Sequence, residues 1–291
     1  MEERGMNERV RKLRRQSMEA VAHLDMERAR LMTEAYKMYE GTVSVPEMRA
    51  LALKHYFSNK TLCINDGELI VGEKGDSPQG SPSFPELCCH TVQDMHVMND
   101  RDLISFKVTD EDIQYQKDVI IPYWENRSIR HKILENMTPE WKAAYEAGIF
   151  TEFMEQRGPG HTVGSIKIYQ KGYLDYQNDI NEALANLDYY NDPEALDKKN
   201  ELKAMSICCD AIMILGKRYA EYARQLAEET DDPQKKEDLL LIAHNCDVVP
   251  AHKPETFHQA LQMYWFTHLG VTTELNPWDA YSPGRLDQHV Y

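Results

Sequence analysis

Two short segments combine proton-transfer groups and aromatic rings with glycine or proline in a way that could shape a binding site. The first, FMEQRGPGH, runs from Phe153 to His161 and carries its histidine on a Gly-Pro-Gly turn. Glycine lets the backbone approach a ligand closely and proline restricts the turn, while histidine can donate a proton near neutral pH. The same composition also fits a capped loop with a surface histidine, so the residues alone leave both interpretations open.

The second segment, TTELNPWDAYSPGRLD, covers residues 272–287 and places Asp279 between Trp278 and Tyr281. A carboxylate among aromatic rings in a non-helical segment suits a shaped pocket for a polar substrate. An ordinary hydrogen-bonded loop has the same appearance. Here too the residues alone do not decide between a site and a loop.

Sequence patterns that commonly mark nucleotide, nucleophile or metal sites are absent from the chain. It contains no GxxxxGK[ST], GxSxG or HExxH pattern. His244, His252 and His258 follow one another at spacings that place no pair on one helical face, so we expect no metal site. The glycine- and proline-rich run 72–86 cannot be helical, and it fits either a backbone anion site or a structural loop.

The elements that must position these groups are mostly helical by their apolar periodicity. Residues 7–41 predict helix with a break near His23, and Ser44 with Glu47 forms a capping box for a helix that runs to about Asn59. Thr109 is a second predicted helix cap. Further helices are predicted at 123–136, 139–148, 174–187, 193–229, 233–245 and 254–269.

The longest predicted helix, 193–229, carries a heptad seam of the kind found on core helices. Its members are Leu202, Met205, Cys209, Ile212, Gly216, Tyr219, Ala223 and Leu226. Residues 68–72 (ELIVG) are the clearest strand candidate, and the chain after Gly270 is predicted to begin as a strand. The expected fold class is therefore mainly α with a few strands.

Composition excludes several classes of partner. The 291 residues contain 33 Lys and Arg against 48 Asp and Glu, a net charge of −15. Nucleic acids and anionic membranes are usually bound by basic surfaces, and no apolar run approaches the ~20 residues of a membrane span. The start of the chain has no signal-peptide pattern. The six cysteines form no disulfide framework or zinc pattern, so we expect a cytoplasmic protein with free thiols.

Several long segments resemble the glycyl radical enzymes of the pyruvate formate-lyase-like superfamily. The resemblance covers nearly the whole chain, and two shorter patterns, EFMEQR-PGHTV and TELN-WDA, are similar to the branch that acts on hydroxyproline. The segments are RALALKHYF, NDGELIVGEKGDSP, LCCHT, MTPEWKAAYEAGIFTEFMEQRGPGHTV, CDAIMILGKRYAE, DVVPAHKPETFHQALQMYWF and GVTTELNPWDAYSPGRLDQH.

The resemblance implies a fold. Family members build a ten-stranded α/β barrel surrounded by helices, and residues 1–291 correspond to the N-terminal part of that domain. The loop with the active-site cysteine and the glycyl radical domain follow later in family order. We therefore expect this chain to be truncated before them and to be inactive alone.

The resemblance also implies a carbon–oxygen hydro-lyase that converts trans-4-hydroxy-L-proline to 1-pyrroline-5-carboxylate. No metal or organic cofactor is expected to be bound. The glycyl radical lies outside this chain and is installed by a radical-SAM activating enzyme, which is the expected protein partner. A homodimer is compatible with the family, and neither nucleic acid nor a membrane is an expected partner.

Carried over residue by residue, the family's pocket falls on Phe153, His161 and Asp279. We expect His161 to protonate the leaving oxygen. Asp279 is expected to accept a hydrogen bond from the substrate hydroxyl or ring ammonium, and Phe153 to pack against the substrate ring. His161 and Asp279 should therefore converge in space. The stretch from Gly164 to Lys167, reading GSIK where the branch has Cys-Gly-Asp, departs from the family and leaves the exact substrate open.

Two alternatives follow from the same residues. The chain could belong to another glycyl radical enzyme, of the glycerol or diol dehydratase, choline lyase or formate acetyltransferase type. From a different class, it could be a non-catalytic helical interaction module, which the heptad seam and the acidic charge would suit.

Overall fold

The computed structural model describes residues 7–149, 164 and 166–275. These residues are mainly helical, which confirms the expected fold class, and among them two short strands occur, β1 (His23–Asp25) and β2 (Gly80–Pro82). A π-helical segment, Gln116–Ile120, joins α5 to α6. The helices are α1 (Glu8–Glu19), α2 (Glu27–Tyr39), α3 (Val45–Asn59), α4 (Val92–Asp100), α5 (Asp110–Tyr115), α6 (Ile121–Trp124), α7 (Ile129–Asn136), α8 (Pro139–Glu146), α9 (Lys167–Gln170), α10 (Tyr173–Ala185), α11 (Ala195–Glu229), α12 (Pro233–Val248) and α13 (Phe257–Leu275).

Local capping signals determine several helix starts. The Ser44 hydroxyl accepts from the Glu47 N–H and the Glu47 carboxylate accepts from the Ser44 N–H, which confirms the capping box of α3. Thr109 caps α5 in the same way, also as predicted. The helix predicted over 123–136 is instead interrupted after Trp124. It restarts behind Ser128, whose hydroxyl accepts from the backbone of α7.

The break predicted near His23 is the strand β1. It pairs in parallel with β2, so that His23 lies opposite Gly80 and Asp25 opposite Pro82. The run 72–86 contains no helix, as its prolines and glycines predicted. This pairing ties the end of that run to the start of α2.

The core is organised by α11, which packs against α3, α10, α12 and α13. The middle of its heptad seam is buried as predicted, and Tyr219 lies 5.8 Å from Phe266 of α13 between ring centroids. Toward the amino end of α11 the seam is less buried, and Met205 is 53% exposed there. The apolar stripe on α11 therefore extends further than the helices that cover it.

Both strand predictions outside β1 and β2 are wrong, for two different reasons. Residues 68–72 form no strand: the chain bends at residues 69 and 70, and the side-chain amide of Gln262 on α13 occupies the hydrogen-bonding groups of Val71. Residues 271–275 continue α13 instead of starting a strand. Burial outweighs the β preference of Thr272 there, and its hydroxyl donates to the His268 carbonyl at 2.9 Å.

Candidate functional site

The predicted site residues Phe153, His161 and Asp279 all lie outside the described residues. The structure describes the elements next to them along the chain. Residues 164 and 166–170 follow the segment that contains Phe153 and His161, and α13 leads to the segment that contains Asp279. These flanking elements fix where the chain enters or leaves the two segments.

The first flanking element is attached to α13. Ile168 of α9 is buried with Met263 and Tyr264 of α13 and with Val249. Gly164 has a φ of +72°, and a Cβ atom at this position would lie 2.0 Å from Ile168 Cγ2. A side chain is therefore excluded here both by backbone conformation and by contact. Glycine at position 164, the first residue of the stretch that departs from the family pattern, therefore has a structural reason.

The second flanking element, α13, contacts a buried cluster around Arg28. The Arg28 side chain is fully buried and its Nε donates to the Thr273 carbonyl of α13 at 3.0 Å. Its two terminal nitrogens donate to both carboxylate oxygens of Glu86, and Nη1 also donates to the Ser83 carbonyl at 3.1 Å. The guanidinium carbon lies 3.8 Å from the centre of the Phe84 ring. Such a bidentate, stacked arginine is held in one geometry.

A second arginine holds the next residue of α13. Arg49 Nη2 lies 2.5 Å from Glu274 Oε1. Burial raises the pKa of Glu274, and the charges of Arg49 and Arg28 oppose that rise. Helices α2 and α3 thus supply one arginine each to adjacent residues, Thr273 and Glu274, in the last described turn of α13.

Lys74 and His268 lie next to this cluster. Burial, followed by the charge of Arg28, lowers the pKa of Lys74 to about 7. Burial and the nearby Lys74 lower the pKa of His268, whose ring stacks on Trp265 at 5.3 Å between centroids. The Lys74 ammonium lies 5.5 Å from the Phe84 ring centre, and within the described ranges it has no hydrogen-bond acceptor. Lys74 is therefore the group of this pair whose charge changes near neutral pH.

The loop that carries Lys74 is held by side chains instead of by a neighbouring strand. The Lys60 ammonium, which is buried, donates to the carbonyls of Glu73, Lys74 and Gly75 at 2.6, 3.3 and 3.4 Å. Trp265 Nε1 donates to the Gly72 carbonyl at 2.7 Å. The groups that converge here are carbonyls and not N–H groups. This part of the loop therefore surrounds a cation, the Lys60 ammonium, and does not form an anion site. The structural interpretation of the glycine-rich run is the one that the geometry supports.

A groove of about 830 Å³ opens between α3, α10, α11 and α13. Its walls are mostly apolar and include Ile180, Leu202, Met205 and Leu275, with the Arg49–Glu274 pair at one side. The uncovered end of the α11 seam lies in this groove. No helix in the part of the chain that the structure describes is long and apolar enough to span a bilayer.

All six cysteines are free and lie among the described residues. Burial raises the pKa of the Cys63 and Cys209 thiols to about 11 and that of the Cys89 and Cys208 thiols to about 12. These four thiols therefore stay protonated and poorly nucleophilic near neutral pH. Cys89, Cys208 and Cys209 behave as packed side chains, whereas the Cys88 sulfur accepts from Arg130 Nη1 at 3.3 Å.

Sequence reasoning missed Arg28, Arg49, Lys60 and Lys74. Each sits in an unremarkable charged position of a helix or loop, and its partners come from distant parts of the chain. The resemblance could have directed attention to two of them, since Lys74 lies in the quoted segment NDGELIVGEKGDSP and Arg49 opens the segment RALALKHYF, but Arg28 and Lys60 lie in no quoted segment.

The helical architecture and the sequence together define a class of protein. The family model described as pyruvate formate lyase-like matches residues 6–291, and the chain belongs to this family. A solved glycyl radical enzyme from Archaeoglobus fulgidus superposes with a TM-score of 0.90 at 29% identity, over 98% of this chain and 36% of that one. The chain thus corresponds to the N-terminal part of glycyl radical enzymes.

Within the family, the chain is 63% identical over 287 residues to the trans-4-hydroxy-L-proline dehydratase of Clostridioides difficile, covering 99% of this chain and 36% of that protein. The crystal structure of that dehydratase with trans-4-hydroxy-L-proline bound superposes with a TM-score of 0.94. The isethionate sulfite-lyase of Nitratidesulfovibrio vulgaris is 30% identical, over 92% of this chain and 34% of its own. The chain spans about a third of the length of these relatives.

Proposed function

We propose that this chain is part of a hydro-lyase that removes water from trans-4-hydroxy-L-proline to give 1-pyrroline-5-carboxylate. The observation that carries the proposal is the 63% identity, over 99% of the chain, to a hydroxyproline dehydratase. Relatives that act on isethionate or 3-sulfopropanediol are only 30% identical. This difference supports the hydroxyproline branch against the other substrates of the family.

The proposed roles of the site residues follow from the chemistry of water loss. Hydroxide is a poor leaving group, so a proton donor at the substrate oxygen lowers the barrier, and we assign this role to His161. Asp279 would accept a hydrogen bond from the substrate hydroxyl or ring ammonium and favour the charged form of His161. Phe153 would cover the ring and exclude water.

The radical chemistry is assigned to parts of the enzyme outside these 291 residues. A glycyl radical, installed by a radical-SAM activating enzyme, would supply hydrogen-atom abstraction from the substrate. The free cysteines fit a cytoplasmic enzyme. A homodimer remains part of the proposal and is tested by light scattering of the whole enzyme.

The proposal is tested with the full-length enzyme that carries this chain, activated under anaerobic conditions. Trans-4-hydroxy-L-proline, isethionate, glycerol and 1,2-propanediol are offered separately, and products are identified by mass spectrometry. We expect 1-pyrroline-5-carboxylate from hydroxyproline and no product from the other three. The cis-4 isomer is the matched control, because its hydroxyl leaves from the opposite ring face. Turnover of another substrate without hydroxyproline turnover would refute the assignment.

A further inference from the structure

We propose that the groove between α3, α10, α11 and α13 is the docking surface for the part of the full-length polypeptide that follows residue 291. The docked segment brings apolar side chains into the groove and a lysine or arginine to Glu201 at its edge. The inference rests on the proposed function only in that both make this chain part of a longer enzyme. Its tests read cross-linking and thiol protection, which do not depend on turnover.

Three helices present exposed apolar side chains to this groove. Val45 of α3 is 66% exposed, Met205 of α11 is 53% exposed and Leu275 of α13 is 39% exposed. All three line the same cavity of about 830 Å³. Single exposed apolar side chains are normal on a protein surface, whereas a contiguous, concave group of them marks an interaction site.

The apolar surface continues along α11 into a second groove of about 540 Å³. The two grooves share Ala183 of α10 and Glu201, Leu202 and Met205 of α11. The amino-terminal part of the α11 stripe therefore lies open along both grooves. A surface that follows a helix in this way suits a polypeptide segment with regularly spaced apolar side chains.

The edge of this surface carries negative charge that the described residues leave unpaired. Asp197 and Glu201 lie four residues apart on α11, so they are neighbours on one helix face and repel each other. The two cations that line the grooves in the described part of the chain, Arg49 and Lys198, are held by other carboxylates. A basic side chain from the docked segment relieves the repulsion between Asp197 and Glu201.

The choice of occupant follows from chain length and from the course of α13. The chain spans 36% of the length of the hydroxyproline dehydratase described above. Val271, Glu274 and Leu275 of α13 line the groove, so the polypeptide continues from beside this surface. A covalently attached segment is present there at a high effective concentration, an advantage that neither a second copy nor a separate protein has.

The first test is a cross-linking experiment with the full-length enzyme, in which photo-reactive benzoylphenylalanine replaces Met205. We expect a product with the mass of one polypeptide, in which position 205 is joined to a peptide beyond residue 291. The same group in place of Met18, an exposed residue of α1 outside the groove, gives the background. A product of twice that mass would assign the groove to a second copy, and a peptide from residues 1–291 would assign it to this chain. Either result, or no cross-link above background, overturns the proposal.

The second test measures maleimide labelling of Met205→Cys by mass spectrometry of the labelled peptide. We expect labelling in the full-length enzyme to be at least about tenfold slower than in the 291-residue chain, because docking must open before the thiol reacts. Met18→Cys is the control and should change less than about twofold between the two proteins. Equal rates at position 205 in the two proteins would mean that nothing beyond residue 291 covers the groove.

The charge at Glu201 is tested in the same Met205→Cys background. We expect Glu201→Arg to speed labelling of the full-length enzyme by at least about threefold, because an ion pair becomes a repulsion. The 291-residue chain with the same two substitutions corrects for the effect of the new cation on the thiol. Glu228→Arg, at an exposed position of α11 outside both grooves, should leave the rate unchanged. Equal effects of the two arginine variants would refute the basic partner, whereas an enzyme without hydroxyproline turnover refutes the proposed function and leaves these readouts intact.

Discussion

Gln262 pairs with Val71 through both atoms of its side-chain amide. Gln262 Oε1 accepts from the Val71 N–H and Nε2 donates to the Val71 carbonyl, each at 2.8 Å, and both residues are buried. The side chain thus completes the hydrogen bonds that a neighbouring strand would otherwise provide. It attaches the 68–72 segment to α13 across 191 positions of sequence.

We expect Gln262→Leu to lower the free energy of unfolding by about 2–4 kcal/mol. The substitution leaves a buried N–H and a buried carbonyl of Val71 without partners, at ~1–3 kcal/mol for each. Urea titration followed by circular dichroism measures the change. Gln225→Leu is the control, because Gln225 is an exposed residue of α11 whose side-chain amide donates to Glu229 at 3.0 Å. A loss at Gln262 no larger than at Gln225 would show that Val71 finds other partners.

Lys60 and Lys74 are expected to respond in opposite directions to the same substitution. Lys60→Met removes the ammonium donor from three loop carbonyls, of which that of Lys74 still accepts from the Tyr56 hydroxyl, and should lower the free energy of unfolding by about 2–4 kcal/mol. Lys74→Met removes a half-buried cation that has no acceptor in the described residues and should raise it by about 1 kcal/mol or more. Thermal or chemical unfolding at pH 7 measures both. Destabilisation by Lys74→Met would reveal an anionic partner.

The pH dependence of stability should identify Lys74 as the titrating group. Its folded pKa of about 7 lies below the ordinary value of 10.5, so the unfolded chain binds more protons between these values. Stability therefore rises with pH through this window. The Lys60 pKa is also lowered, to about 8, so Lys60 makes stability rise with pH in the same way above that value. We expect the stability advantage of Lys74→Met to shrink between pH 7 and 10, and a constant advantage would contradict the lowered pKa.

Gly164 and Gly148 form a natural pair for testing the anchoring of α9. Both have φ near +70°, but a Cβ atom at Gly148 would meet nothing within 4 Å, whereas at Gly164 it would lie 2.0 Å from Ile168. Gly148→Ala should cost only the backbone strain of about 1 kcal/mol. Gly164→Ala should cost at least ~1 kcal/mol more, because Ile168 must leave its buried contacts. Equal unfolding free energies for the two variants would mean that α9 moves freely.

The proposed proton donor is tested by His161→Gln in the full-length enzyme. We expect kcat to fall by about 10²–10⁴-fold, since a general acid acts in the transition state. The dissociation constant for hydroxyproline, measured by calorimetry on the unactivated enzyme, should change much less. A His161→Gln enzyme with the wild-type rate would remove this residue from the mechanism.

Local signals predicted the parts of the fold that depend on neighbours in sequence. The Ser44–Glu47 and Thr109–Asp112 boxes act within one helical turn, so their sequence spacing is sufficient. The strand at 68–72 was predicted wrongly because its partner is a glutamine side chain on a helix 191 positions later. The pattern of apolar residues in 68–72 and in α13 gives no indication of the contact between Val71 and Gln262.

The flanks of the candidate site were less accessible to sequence reasoning. Arg28 contacts Thr273 and Glu86, and Arg49 contacts Glu274, and all of these are common charged or polar residues on ordinary helices and loops. Their importance arises from burial, which only the tertiary structure reveals. The proposed site residues came from the resemblance, which compares whole segments and not single spacings.

The packing of α3 against α11 has a consequence for synthesis on the ribosome. Leu53 and Phe57 of α3 are buried in the cluster that contains Leu215 and Tyr219 of α11, yet α11 begins only at Ala195, long after α3 ends at Asn59. At roughly 5–20 residues per second, α3 emerges on the order of ten seconds before its partner. During that interval its apolar face is uncovered in the nascent chain. We expect chains released before α11 is complete to expose this face and to aggregate more readily than the whole chain.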